Sequence, residues 1–157
     1  MNAPDREITY RIATRHDHAE IVQMLAELME ELVDPELAAK TRPRFHDDIA
    51  SALGSPRVRI FLAESPAGAV GLSRGDVLTD DPIFRLRDDH RCGYIDQMFV
   101  RPAHRDGGVG AELLRLCEAW FRSQEIYHCL LHAAPRAVRF YARIGYGPNR
   151  EMFKRLD

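Results

Sequence analysis

Arg105-Asp106-Gly107-Gly108-Val109-Gly110 is the stretch that decides how this chain folds. It follows an apolar segment, Tyr94 to Val100, that is closed by Pro102. It precedes a run with Val109, Leu113, Leu116, Cys117 and Trp120 at helical spacing, from about Gly108 to Ser123. Strand, glycine turn and helix in that order leave backbone N–H groups uncovered at the positive end of a helix dipole. Such a turn suits a pyrophosphate, and Arg105 adds a formal positive charge at its mouth. A P-loop would need Gly-Lys-Ser/Thr, but Gly110 is followed by Ala111-Glu112. A dinucleotide fingerprint would sit near the first strand, whereas this turn comes after several strands. The expected cradle is Arg105, Asp106, Gly107, Gly108, Val109, Gly110 and Ala111; the bare alternative is a glycine-rich connection that binds nothing.

Working outward, Ile8 to Ala13 alternates as a strand with Ile8, Tyr10 and Ile12 on its buried face. Thr14 and Asp17 start a helix whose stripe is Ile21, Leu25, Leu28 and Leu32, ending near Asp34-Pro35. A second helix is expected from about Arg44 to Leu53. Val58 to Glu64 and Ala69 to Leu78 form a hairpin about Pro66-Ala67-Gly68, and Thr79 to Arg91 is a polar loop. Tyr127 to His132 is a short strand, Ala134 to Ile144 a helix stopped by Gly145, and Met152 to Leu156 a final strand. Interleaved strands and helices on this scale give one mixed α/β domain over residues 1–157, with its core from about residue 7.

Composition excludes several classes. The net charge is −2, which argues against nucleic acid as a partner. Only Lys40 and Lys154 are lysines among the 22 basic residues, a uniform preference for arginine rather than a basic patch. No apolar run approaches the ~20 residues of a membrane span, and the N-terminus lacks the apolar core of a signal peptide, so a cytoplasmic protein is expected. Cys92, Cys117 and Cys129 are odd in number and far apart, which suggests reduced, mostly buried thiols. The histidines have no zinc-binding spacing, and no metal is expected.

The spacing Arg105-x-x-Gly108-x-Gly110 resembles the acetyl-CoA signature Gln/Arg-x-x-Gly-x-Gly/Ala of the GCN5-related N-acetyltransferase (GNAT) superfamily, with Met98-Phe99-Val100-Arg101-Pro102 similar to the segment before it. Downstream, Ala137-x-x-Phe140-Tyr141-x-x-x-Gly145-Tyr146 is similar to the family's Ala-x-x-Leu/Phe-Tyr-x-x-x-Gly-Phe. The motifs cover Tyr94 to Tyr146, and the element order matches along nearly the whole chain. Two positions depart: Ala134 stands where the family often has Asn on the cofactor arm, a variant that resembles a bacterial branch, and Gly107 stands where Arg or Lys is common.

The resemblance implies a GNAT-like α/β fold: a mixed central sheet flanked by helices, splayed between the strand ending at Val100 and the strand starting at Tyr127. It implies acetyl-CoA as co-substrate, bound by Met98, Phe99, Val100 and residues 105–111, and direct attack by a primary amine of a small molecule in a ternary complex. A backbone N–H of Phe99 or Val100 would meet the thioester carbonyl. Tyr141 would be the general acid, a phenol with a pKa of roughly 10 that stays protonated at neutral pH. Asp96 would be the base; its alternative is an edge aspartate that only pairs with an arginine, as Tyr141's is a core aromatic. Glu27, Glu30, Glu31, Asp76, Asp80, Asp81, Asp88 and Asp89 would make an acidic surround for a cationic acceptor. A homodimer fits the resemblance, though no residue pattern marks an interface. The alternative function is a non-catalytic acyl-CoA-binding regulatory module, for which a retained Tyr141 has no use.

Overall fold

β2 (Val58–Ser65) and β3 (Gly68–Leu78) form a hairpin at the centre of the sheet, with Gly68 at φ 124° completing the turn. The computed structural model describes residues 7–79, 91–149, 152 and 154–156. Along β2 the side chains alternate: Ile60 and Leu62 enter one core, Phe61 and Ala63 the other. β1 (Thr9–Ile12) lies outside β2, and β4 (Cys92–Val100) and β5 (Cys129–Leu131) lie outside β3, giving the order β1-β2-β3-β4-β5. All pairings are antiparallel except β4 with β5. A mixed five-stranded sheet with helices on both faces is the α/β architecture expected.

One face is covered by α1 (His18–Leu32) and α2 (Pro35–Ala52), through Ile21, Met24, Leu25 and Ile49, each at most 1% exposed. The other is covered by α3 (Val109–Ser123), through Leu113, Leu114, Cys117 and Phe121. α4 (Val138–Arg143) follows a single 3-10 turn at Pro135–Ala137, so the helix expected from Ala134 to Ile144 is divided.

α3 lies close on the sheet because glycines floor it. A Cβ on Gly93 would stand 2.7 Å from Phe121 Cδ2, and one on Gly75 would stand 2.9 Å from Phe121 Cζ. Gly93→Ala is expected to destabilise the fold by about 1–3 kcal/mol through overpacking. Urea unfolding checks this, and an unchanged midpoint would contradict the tight contact.

Several boundaries differ from expectation. α2 starts at Pro35, not near Arg44, because Asp34 caps it by accepting from Leu37 N at 3.0 Å and proline fits the first turn. Pro43 lies inside it. Ile12 is 46% exposed and Leu32 43%, since the edge strand and the last turn of α1 run beyond the core. β5 begins at Cys129 and Tyr127 is 72% exposed. The loop expected over Thr79–Arg91 lies mostly outside the described residues. The strand expected over Met152–Leu156 lies partly outside them, and Met152 and residues 154–156 are not in a strand. Among the described residues no helix is long and apolar enough to cross a membrane.

Candidate active site

β4 and β5 part half-way along β4. Their parallel pairing covers Gly93, Tyr94 and Ile95 against Cys129, Leu130 and Leu131, while β4 runs on to Val100. The break coincides with a bulge: Arg74 pairs with Gln97 and Gly75 with Ile95, leaving Asp96 as the extra residue. The bulge reverses the facing of the strand. Gly93 and Ile95 pack toward α3 before it, Met98 and Val100 after it. Asp96 thus stands where the sheet opens.

The opened part of β4 offers backbone donors. Arg101 N donates to Val70 O at 2.8 Å, so the alternation of an antiparallel ladder turns Phe99 N toward β3 as well. The N–H groups of Met98 and Val100 then face the side that β5 has left. Of the two backbone donors the family resemblance offered, Phe99 is engaged in the ladder and Val100 is available. The Val100 carbonyl on that side accepts from Arg105 Nε at 2.8 Å.

The glycine turn closes the far end of the opening. Asp106 and Gly108 have φ of 62° and 82°, left-handed values that Gly108 adopts without strain. No side chain caps α3, and its first backbone bond runs from Glu112 N to Gly108 O. The N–H groups of Val109, Gly110 and Ala111 therefore point out of the first turn. Apart from the adjoining residues of the chain, no heavy atom of the described residues lies within 4 Å of a Cβ built on Gly107 or Gly108. A Cβ on Gly110 would stand 3.0 Å from Met98 Cε and 3.3 Å from Phe140 Cζ, so glycine is the residue that keeps this wall of the opening clear. These residues fit a diphosphate and its arm.

Arg105 departs from expectation. Its Nη2 donates to Glu31 Oε1 at 2.7 Å and Oε2 at 2.9 Å, and Arg136 Nη2 donates to the same Oε2 at 2.6 Å. Its charge is engaged by α1 rather than lying open at the mouth. Likewise Glu27 is bound by Arg101 at 2.9 and 3.0 Å and Asp76 by Arg74 at 2.8 and 2.9 Å, so with Glu31 three of the carboxylates expected to face an acceptor are ion-paired. Asp80, Asp81, Asp88 and Asp89 lie outside the described residues.

Tyr141 is partly buried against the α3-side core, edge-on to Phe140 at 5.1 Å and to Tyr146 at 5.7 Å. Burial alone pushes its phenol pKa up, with no hydrogen-bond partner contributing. Tyr141 and Asp96 share none of these neighbours. The Asp96 carboxyl, its side chain 34% exposed at the edge of the opening, is 3.4 Å from Arg74; partial burial pushes its pKa up, Arg74 opposes this, and Asp76 and Asp48 add to it.

The model of the acetyltransferase (GNAT) family matches residues 21–146, well over half of the chain. The chain belongs to the GNAT family. Among solved structures, a GCN5-related N-acetyltransferase from Ralstonia eutropha JMP134 is similar, with a TM-score of 0.84 and 25% identity over 95% of this chain and 98% of its own. A predicted acetyltransferase with acetyl-CoA from Clostridium acetobutylicum has the same fold, with a TM-score of 0.83 and 19% identity over 95% and 96%. So does the aminoglycoside N-acetyltransferase AAC(6')-Iy in complex with CoA, at 0.78 and 14% over 99% of each chain. No curated protein matches. As a GNAT protein the chain is an acetyl-CoA-dependent acetyltransferase.

Four polar residues of this candidate site carry no motif in the sequence. Arg74, 6% exposed, and its partner Asp48 approach Asp96; Gln97 Oε1 is buried with no hydrogen-bond partner among the described residues; Arg136 shares Glu31 with Arg105. The one available signal was a charged residue in the apolar run of β3, with Asp76 two positions on and therefore on the same face. Burial pushes the Cys117 thiol up to about 12 and raises Cys129, which keeps both thiols protonated at neutral pH. Among the described residues no group of three or more His, Cys, Asp or Glu side chains is placed to hold a metal.

Proposed function

We propose that this single-domain enzyme acetylates a primary amine of a small, cationic molecule by direct attack in a ternary complex. The observation that carries the reading is Asp96 on the bulge where β4 and β5 separate, with its proton affinity raised, at the opposite end of the opening from the glycine turn.

Acetyl-CoA, when bound, supplies an activated acetyl group and a thiolate leaving group. The N–H groups of residues 106–111 cradle its diphosphate at the head of α3. Met98 and Val100 turn their N–H groups to the opening, with Phe99 between them held in the β3 ladder, and Val100 N–H donates to the carbonyl oxygen on which negative charge develops. Asp96 takes a proton from the amine, directly or through water. Tyr141 Oη gives a proton to the departing sulfur. Asp48, Asp76 and Asp96 outnumber the one guanidinium among them, which favours an acceptor that arrives as an ammonium. AAC(6')-Iy, of the same fold, is an aminoglycoside N-acetyltransferase, which supports that class of acceptor here.

The test is release of CoA thiol over a panel of primary amines, with mass spectrometry of the acceptor. Amine-dependent release with one acetyl gained is expected; release that ignores the amine would overturn the reading. The pH dependence follows. Asp96 must be unprotonated to act, so kcat falls as pH drops through its pKa. Because burial raises that pKa, the fall begins above the ordinary carboxylate value of about 4. An Asp96→Asn enzyme is expected to lose this limb together with most of its rate. A limb that persists in Asp96→Asn would assign the proton transfer elsewhere.

A further inference from the structure

The most densely charged buried group of this site is one the reaction does not touch. Arg74 lies on β3, on the face toward α1 and α2, opposite Gln97 of β4. Its Nε and Nη2 donate to Asp76 at 2.8 and 2.9 Å, a two-pronged pair, and its Nη1 donates to Asp48 of α2. The same Nη1 is 3.4 Å from Asp96 Oδ2, close enough for attraction and too long for an ordinary hydrogen bond. A guanidinium has five N–H donors in a fixed plane, and the stronger partners take three of them. Among the described residues the charged groups facing Asp96 are Arg74 and Asp76 from β3 and Asp48 from α2. Tyr94, on its own strand, has its hydroxyl 2.7 Å from His132 Nδ1, beyond β5.

We propose that Arg74 is a positioning residue for Asp96: its buried guanidinium holds the carboxylate at the bulge of β4, while Asp48 and Asp76 engage the remaining donors and leave Asp96 able to accept a proton. The arrangement separates two effects that one ion pair would join. A carboxylate bonded directly to an arginine is well placed but a poor base, because the ion pair holds it ionised. Here the arginine is shared, so two other carboxylates oppose its pull on the Asp96 proton equilibrium. The inference deepens the reading of Asp96 as the base and rests on it.

The experiment is carbon-detected NMR of aspartate carboxyl groups against pH, on the free enzyme and without any acceptor, with Asp96→Asn identifying the Asp96 signal. Asp76→Asn and Asp48→Asn each remove a competing carboxylate, and each is expected to move the Asp96 midpoint to lower pH. The Asp48 side chain is 46% exposed, so Asp48→Asn tests the idea without threatening the fold. Asp47→Asn, 94% exposed on the same helix, is the control and leaves the midpoint in place. The acid limb of kcat in Asp48→Asn moves in the same direction as its NMR midpoint, which lost packing alone would not produce. A midpoint unmoved or raised in both variants overturns the inference. Failure of the underlying reading is seen separately: if Asp96→Asn keeps full amine-dependent turnover, Asp96 is not the base and Arg74 has nothing to position for catalysis.

Discussion

Gly108→Glu is expected to weaken acetyl-CoA binding by roughly a thousandfold. Gly108 heads α3 at φ 82°, with open space where a side chain would be. A glutamate there puts a carboxylate against the diphosphate, and two unit charges ~4 Å apart near a protein surface repel by about 4 kcal/mol. The left-handed backbone adds strain of about 1–2 kcal/mol for any non-glycine residue. Gly108→Ala carries the strain without the charge, so the difference between the two variants in calorimetry isolates the electrostatic part. Equal affinity in Gly108→Glu and Gly108→Ala would mean that no phosphate approaches this turn.

Tyr141→Phe is expected to lower kcat by about a hundred- to ten-thousandfold, the usual range for a lost general acid, and to leave cofactor affinity nearly unchanged. The ring packs against Phe140 and Tyr146, and phenylalanine keeps both contacts. Among the described residues the hydroxyl has no hydrogen-bond partner for phenylalanine to lose. Stability measured by urea unfolding therefore stays close to the parent while turnover collapses. Unchanged turnover would make Tyr141 a packing residue.

What was legible in the sequence was local chemistry. The glycine turn announces itself because a left-handed residue at an uncapped helix start needs no distant partner to be recognised. The hairpin about Pro66-Ala67-Gly68 and the apolar stripe of α3 are local in the same sense. Pro35 reads in sequence as the stop of one helix, but with Asp34 as its cap it is the start of the next, which makes α2 longer than the sequence suggests. The helix expected after Ala134 divides because Pro135 opens a 3-10 turn before α4. What was not legible was pairing. The bulge at Asp96 exists only in the register of β4 against β3, and β5 is short because β4 leaves it. Arg105 read as an open charge because Glu31, its partner, is 74 residues away. Arg74 joins carboxylates from α2, β3 and β4, a meeting that no linear pattern encodes.

The geometry also leaves a rival site. An open groove of about 320 Å³ lies among Arg122, Tyr127, His128, Cys129, Ile144 and Tyr146. It is at the opposite end of α3 from Gly108, roughly 18 Å away at 1.5 Å per helical residue. The most direct test of where the cofactor binds is amide hydrogen exchange with and without saturating acetyl-CoA. New protection is expected at residues 106–111 and at Met98 and Val100, whose N–H groups face the opening. Protection confined to 126–129 and 144–147, or none at all, would contradict it.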